Sequence, residues 1–184
     1  TYTSQLGRRV ISLLPNCDVY VTDWKNARDV PFSAGKFDIE DFTKYLVDFF
    51  RNLSPDLNVM AVCQPAPRAL AAAAITSERF PEFNPKSLTL IGGPIDPDAN
   101  PTDVTDFGHR TSMEALESTV TMPVGLNYKG VGREVYPGAI QLASFIAMNQ
   151  ETHSKAFIDQ IEKEAAGQAS EFDRHNRFCL LYTS

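Results

Sequence analysis

The order of apolar and polar positions predicts helices and strands that alternate over the first half of the chain. The clearest helix is Asp38–Leu53, where apolar residues recur at helical spacing: Ile39, Phe42, Leu46, Phe49, Phe50 and Leu53. Asp38 is placed to cap the first turn, and Phe37 precedes it where a side chain packs back onto the helix at Phe42. The pattern therefore predicts a capped helix with one face to bury.

The neighbouring segments complete the alternation. Helices are predicted at Tyr2–Leu14 and Pro65–Phe80, and β-branched or apolar runs predict strands at Asp18–Trp24, Leu57–Val62 and Ser87–Ile91. Strands that alternate with helices, and that are apolar enough to be covered on both sides, favour a parallel sheet flanked by helices. The predicted fold class is α/β.

The second half of the sequence has a different character. It predicts weak helices at Ser112–Val120, Gly138–Asn149 and His153–Ala166, and no convincing strand. We therefore expect an α/β core over residues 1–100 and a helical cap region over 101–178. The end, 179–184, resembles a sequencing-adapter scar, and the chain does not begin with Met. We expect a piece of a longer protein.

Composition narrows the classes of function. The 184 residues are 43% hydrophobic and 22% charged, as in one globular domain, and the net charge of −6 argues against nucleic acid as a partner. No run is long enough for a membrane span, and no signal peptide opens the chain. The three cysteines have neither metal-ligand spacing nor an even count for disulfides, which favours a reducing, cytoplasmic location.

The candidate chemistry lies where the strand Leu57–Val62 runs into a polar turn and then a helix. This is the arrangement of a nucleophile elbow, G-x-S-x-G, with Cys63 at the centre, Ala61 as the upstream small residue and Pro65 in place of the downstream one. A thiol is easier to ionise than a hydroxyl, and the backbone N–H of Gln64 would form half of an oxyanion hole. The alternative is that Cys63 is simply a small buried apolar residue.

Five segments, in this order and spacing, carry a resemblance to a known family. They are Asp18–Trp24, Asp29-Val30-Pro31, Val62-Cys63-Gln64-Pro65, Leu88–Asp96 and Arg133–Gly138. Together they resemble the intracellular polyhydroxyalkanoate (polyhydroxybutyrate, PHB) depolymerases, from Thr1 to about Phe178. The run V-C-Q-P combined with G-G-P-I-D is more specific than either alone.

The resemblance implies an α/β-hydrolase fold and hydrolysis of polyester bonds through an acyl-thioester on Cys63. It implies a polyester polymer, oligomer or storage granule as partner, and neither metal nor organic cofactor. The family supplies its catalytic aspartate and histidine late in the chain, so we expect both to lie outside this sequence. We expect the second oxyanion donor before Thr1, and an inactive fragment of an active parent.

Several readings stay open. The three histidines, His109, His153 and His175, are expected to be surface or structural residues, and His109 is the alternative candidate for the catalytic base. Asp96, beside Pro97, is expected to form a turn. Arg133 is expected to be solvated. A polyhydroxyalkanoate synthase-like acyltransferase is a second hypothesis, although glycine on both sides of the cysteine would be expected there. A non-catalytic granule-associated module with a structural Cys63 is a third. The oligomeric state is left open.

Overall fold

The computed structural model of the chain describes residues 10–12, 14–148 and 150–168. The fold is mixed α/β, as predicted. The chain divides into two compact units, Gly35–Arg110 in one and Thr1–Ala34 with Thr111–Ser184 in the other. Each unit is described by itself below.

The unit Gly35–Arg110 contains the alternation that the sequence predicts. Its elements are helix α1 (Ile39–Leu53), strand β1 (Asn58–Val62), helix α2 (Ala66–Arg79), a 3-10 turn (Pro81–Phe83), strand β2 (Ser87–Ile91) and helix α3 (Asp103–Arg110). The first four predicted elements of this unit are thereby confirmed to within one residue at each end. Helix α3 was not predicted, because its sequence, DVTDFGHR, is polar and contains a glycine.

The start of α1 is fixed by reciprocal hydrogen bonds. The Asp38 carboxylate accepts from the N–H groups of Glu40 and Asp41, and the Asp41 carboxylate accepts from the N–H of Asp38. The hydrogen bond from the Asp41 backbone is the main reason that the pKa of Asp38 is lowered. The rings of Phe37 and Phe42 meet edge to face at 6.5 Å, which confirms the predicted packing across the helix start.

Helices α1 and α2 pack on each other to form the larger apolar cluster. Leu46, Val47 and Phe50 of α1 are buried against Ala72 of α2, which is fully buried. Because α2 presents small alanine side chains, the two helices approach closely and the longer side chains of α1 fill the space between them. The predicted apolar face of α1 is thus buried in its middle, while Ile39 at its start is 57% exposed.

Strands β1 and β2 are parallel, with Val59 opposite Leu88 and Val62 opposite Ile91. Ala61 is buried beneath α2, together with Ala66 and Ala69 of that helix. We expected helices to cover both faces of the sheet; within this unit only one face is covered. Met60 and Ile91, whose side chains lie on the other face, are about half exposed.

The described residues of the other unit form mostly short elements. They are two 3-10 turns (Ala27–Asp29 and Phe32–Ala34), helix α4 (Met113–Val120), strands β3 (Met122–Pro123) and β4 (Glu134–Val135), helix α5 (Gly138–Met148) and helix α6 (Gln150–Ala165). The three helices match the predictions, α6 beginning three residues earlier than expected. The expectation of no strand is wrong, because β3 and β4 form a two-residue antiparallel pair.

The predicted strand at Asp18–Trp24 is also wrong. The segment carries no strand pairing in the described part of the chain, and Tyr20 is 69% exposed. A strand exists only where a neighbour satisfies its backbone groups, so β-branched composition alone does not make one. Of the helix predicted at Tyr2–Leu14, residues 10–12 are helical, and residues 1–9 and 13 lie outside the described residues.

None of the helices in the described ranges is long and apolar enough to cross a membrane. The predicted division into 1–100, 101–178 and 179–184 stays a prediction.

Candidate active site

The turn between β1 and α2 has the geometry of a sharp strand-to-helix connection. Cys63 directly follows the last residue of β1 and lies three residues before α2 begins at Ala66. Pro65, the residue before Ala66, is the N-cap of that helix. Cys63 has a φ of +66°, and among the described residues other than glycine it alone has a positive φ. A side-chain-bearing residue in this conformation is strained, and such strain is found at functional sites.

The thiol of Cys63 is accessible. Cys63 is exposed, which contradicts the alternative of a small buried apolar residue. In a nucleophile elbow the same combination of a strained backbone and an exposed side chain lifts the nucleophile above the sheet. The turn therefore presents a sulfur atom to solvent at the carboxyl end of a parallel strand, the edge where α/β proteins bind their ligands.

Two backbone hydrogen bonds hold Cys63 in this position. Its N–H donates to the carbonyl oxygen of Ile91 at 2.8 Å, which ties it to the end of β2. Its carbonyl oxygen accepts from the N–H of Ala66 at 3.0 Å, which ties it to the first residue of α2. The N–H of Cys63 is thus bonded to strand β2, and its carbonyl group is bonded to helix α2.

The small residues that an elbow needs are present, but not all at the positions expected from G-x-S-x-G. Ala61, two residues before the cysteine, is 6% exposed, and Ala66, three residues after it, is fully buried. Gly93, just beyond β2, packs so closely that a Cβ there would overlap the Cβ of Ala66 and lie 2.8 Å from the carbonyl oxygen of Cys63. The second glycine of G-x-S-x-G is replaced here by Pro65. The small residue that allows close packing at the turn is instead Gly93, which follows the neighbouring strand β2.

Gln64, whose N–H is predicted to bind an oxyanion, directly follows the cysteine in the turn and is exposed. Its backbone N–H donates to no acceptor among the described residues. The next residue, Pro65, has no N–H, and neither has Pro67 in the first turn of α2. Within the part of the chain that the structure describes, the Gln64 N–H is thus an unpaired donor in the same turn as Cys63, and an oxyanion hole is built from donors of this kind.

The structure does not bring a histidine to the Cys63 thiol in the described part of the chain. His109 lies in α3, its Nε2 is 3.0 Å from Asp98 Oδ1, and its side chain is 60% exposed. His109 is thus on the surface and in contact with Asp98, in agreement with the prediction of a surface or structural residue. His175 and the side chain of His153 lie outside what the structure describes.

Asp96 has the turn-forming role predicted for it. Its carboxylate accepts hydrogen bonds from the N–H groups of Asp98 and Ala99, at 3.1 and 3.2 Å. Both hydrogen bonds go to the same oxygen, Oδ1, which therefore serves the turn. Among the described residues, no group of three or more His, Cys, Asp or Glu side chains could hold a metal ion.

The contact of Gly93 with the elbow was missed from sequence. A signal for it exists: Gly92-Gly93 follows β2 directly, and β2 was predicted to lie parallel to the strand that ends at the cysteine. Parallel strands in register bring their carboxyl ends to one edge, so residues that follow them become neighbours.

In the other unit, two of the segments that carried the family resemblance meet. The Arg133 guanidinium donates from Nε to the carbonyl oxygen of Val30 at 2.8 Å and from an Nη to that of Pro31 at 2.6 Å. It also lies over the ring of Phe32, 5.9 Å from its centre. Arg133 was expected to be solvated; that expectation is wrong, because the carbonyl groups of a distant loop are its acceptors.

Gly130 lies in the same contact between these two segments. Gly130 is buried, its N–H donates to the carbonyl oxygen of Arg28 at 2.7 Å, and a Cβ there would lie 2.7–2.9 Å from three carbonyl oxygens of residues 27–30. The Arg28 guanidinium in turn lies 4.8 Å from the centre of the Tyr128 ring. The segment 128–133 therefore packs against the segment 27–32 through close backbone contact at Gly130 and through the hydrogen bonds of Arg133.

An exposed nucleophilic residue on a strand-to-helix turn in an α/β fold is typical of enzymes that transfer or hydrolyse acyl groups. The family whose description is PHB de-polymerase C-terminus matches residues 92–184, which is just over half of the chain. The chain therefore belongs to this family of PHB depolymerases. No curated protein and no solved structure matches it. Cys63 lies before the matched residues, so its role is a matter for proposal.

Proposed function

We propose that the chain carries the nucleophile of a PHB depolymerase and that this nucleophile is the Cys63 thiolate. The observation that carries the proposal is the backbone of Cys63: an exposed cysteine with a φ of +66°, held between the end of β2 and the start of α2. Membership of the PHB depolymerase family supports a polyester as the substrate. The fold that would complete this site is an α/β-hydrolase fold, which is part of the proposal.

The chemistry is acyl transfer in two steps. Cys63 Sγ forms a bond to the carbonyl carbon of a 3-hydroxyacyl ester, and the Gln64 N–H hydrogen-bonds the oxyanion that develops. The ester C–O bond then breaks, and the departing chain end takes a proton and leaves as an alcohol. Water next attacks the acyl-thioester, releasing a carboxylic acid and restoring the thiol. The resemblance implies a histidine as proton carrier, and His109 is not assigned that part.

The test uses the accessible thiols of the chain as each other's controls. Cys17 is also free and exposed, but it lies in a turn with no strand-to-helix geometry. The full chain is incubated with p-nitrophenyl 3-hydroxybutyrate, and acylation is followed by p-nitrophenolate release and by intact-mass and peptide mass spectrometry. Cys179→Ser is introduced throughout, so that two thiols are compared.

We expect one equivalent of p-nitrophenolate per chain, without turnover, and an acyl adduct on Cys63, while Cys17 stays unlabelled at matched exposure times. The release and the adduct should be absent in Cys63→Ala and unchanged in Cys17→Ser. Two outcomes contradict the proposal: equal acylation of Cys17 and Cys63, which is the behaviour of any exposed thiol, or ester cleavage that survives in Cys63→Ala.

The same assay tests the donor assigned to Gln64. If the backbone N–H acts, Gln64→Ala should acylate at close to the original rate, because the substitution keeps that group. Removing a donor from an oxyanion hole costs about 100- to 1,000-fold in rate. A loss on that scale in Gln64→Ala would assign the role to the side-chain amide instead. A second measurement, release of 3-hydroxybutyrate in water with and without an added alcohol, separates hydrolysis from acyl transfer.

A further inference from the structure

The Gly92-Gly93 turn meets the elbow at the peptide groups of Cys63. Val62 and Ile91 are opposite each other in the parallel register, so Cys63 and Gly92 are the first residues beyond the paired strands. Gly92 has a φ of +58°, and the chain bends there, directly after Ile91, whose carbonyl oxygen accepts the hydrogen bond from Cys63. Gly93, the next residue, therefore lies against Cys63 and Ala66.

The approach of Gly93 leaves no space for a side chain. A Cβ at this position would overlap the Cβ of Ala66, which is fully buried and has nowhere to move, and would lie 2.8 Å from the carbonyl oxygen of Cys63. That distance is shorter than real Cβ contacts reach, so one of the two backbones would have to shift. The carbonyl in question belongs to the residue with the strained φ.

We propose that Gly93 is a positioning residue for the nucleophile, holding Cys63 at its positive φ through close backbone contact with its carbonyl group. This rests on the proposed function, in which Cys63 is the nucleophile. The N–H of Cys63 is fixed by Ile91 and its C=O lies between Ala66 and Gly93, so the peptide groups on both sides of Cys63 are restrained. The restraint sets the direction in which the Cα–Cβ bond, and hence Sγ, points.

The two contacts of a new Cβ can be separated by substitution. Gly93→Ala introduces both the overlap with the Ala66 methyl group and the contact with the Cys63 carbonyl. Combining it with Ala66→Gly removes the methyl group and leaves the carbonyl contact. Gly125→Ala is the matched control, because a Cβ at Gly125 meets nothing within 4 Å and its φ lies outside the positive range.

The readouts must distinguish position from overall folding and from activity. Far-UV circular dichroism and thermal melting report folding. Selective ¹⁵N labelling of cysteine gives amide resonances for the three cysteines, and the Cys63 resonance is assigned by its loss in Cys63→Ala. Its chemical shift and its hydrogen-exchange rate report the backbone of Cys63 and its hydrogen bond to Ile91. Acylation by p-nitrophenyl 3-hydroxybutyrate reports the thiol.

We expect Gly93→Ala to shift the Cys63 amide resonance, speed its exchange and slow its acylation by about 10- to 100-fold, while Gly125→Ala changes none of these. The Gly93→Ala/Ala66→Gly variant should fold and melt at a higher temperature than Gly93→Ala, yet keep the shifted resonance and the slow acylation.

The positioning role is overturned if Gly93→Ala folds with an unchanged Cys63 resonance, or if the double variant recovers the original acylation rate. It is also overturned if the double variant fails to fold, because Gly93 is then required by the fold as a whole. Failure of the proposed function has a different signature: Cys63→Ala would keep cleaving the ester, whatever happens to the Cys63 resonance in Gly93→Ala.

Discussion

Glycine at position 63 should give a more stable chain than alanine at the same position, the reverse of the usual order. Cys63 has a φ of +66°, where the Cβ of an L-residue crowds its own backbone. In left-handed backbone this crowding costs about 1–2 kcal/mol. Alanine retains the crowding because it retains a Cβ, and glycine removes it.

The comparison of the two variants isolates the backbone contribution. Both lack the sulfur atom, so the contacts of the thiol cancel between them. Glycine gives back about 0.5–1 kcal/mol, because its unfolded chain has more freedom to lose. The difference leaves Cys63→Gly ahead of Cys63→Ala by about 0.5–1 kcal/mol at the centre of the two ranges. In a chain of this length that corresponds to a Tm higher by about 2 °C.

Urea unfolding followed by far-UV circular dichroism measures both free energies of unfolding. Ala74→Gly supplies the control, since Ala74 is an exposed residue in the body of α2. In ordinary helical backbone the same exchange of alanine for glycine should lower stability by about 0.8–1 kcal/mol. One substitution type is thus expected to have opposite signs at two positions of one unit.

The reasoning is refuted if Cys63→Gly is less stable than Cys63→Ala by as much as Ala74→Gly is less stable than the unsubstituted chain. Cys63 would then carry no backbone strain. The proposed nucleophile would lose the observation that distinguishes it from Cys17, which is equally free and exposed.

Three further predictions concern two contacts in the other unit and the cap of helix α1. Gly130→Ala should lower stability by about 1–3 kcal/mol in thermal melts, because its Cβ would lie 2.7 Å from the carbonyl oxygen of Arg28; an unchanged Tm would refute that approach. Arg133→Lys should cost about 1 kcal/mol, since an ammonium group cannot reproduce the forked donation to Val30 and Pro31; equal Tm values would contradict it. The lowered pKa of Asp38 means that its carboxylate stabilises the fold above the unfolded-state pKa and that this stability is lost as the pH falls through the folded-state pKa. Asp38→Asn keeps a capping oxygen and should flatten that part of the Tm–pH curve, and a parallel curve would argue against it.

The sequence predicted the elements whose causes are local. Helix α1 was predicted because its cap, its ring contact and its apolar period lie within seventeen consecutive residues, Phe37–Leu53. The structure confirms the cap and the ring contact, and it buries the middle of the apolar face. The strands β1 and β2 were predicted from short apolar runs bounded by turns, and alternation with helices gave their parallel pairing.

Elements whose causes are distant were predicted poorly. Asp18–Trp24 has the composition of a strand but no partner strand in the described part of the chain, and Arg133 finds its acceptors about one hundred residues earlier in the sequence. Nothing in the neighbouring residues encodes either outcome. Helix α3 was missed for a different reason: it is only eight residues long, and its two large apolar residues, Val104 and Phe107, are too few to define a period.

The candidate site combines both kinds of information. The position of Cys63 on a strand-to-helix turn is local and was predicted, whereas the closeness of Gly93 depends on the pairing of two strands separated by a whole helix. The family match begins at Gly92, so the residues that assign the chain to the PHB depolymerases start at the turn that contacts the elbow. If Cys63 is the nucleophile that we propose, its backbone is fixed only when strand β2 is paired with β1, because that pairing supplies both the acceptor for the Cys63 N–H and the glycine against its carbonyl. Loosening the end of β2 should free the cysteine backbone even where β1 and α2 stay intact.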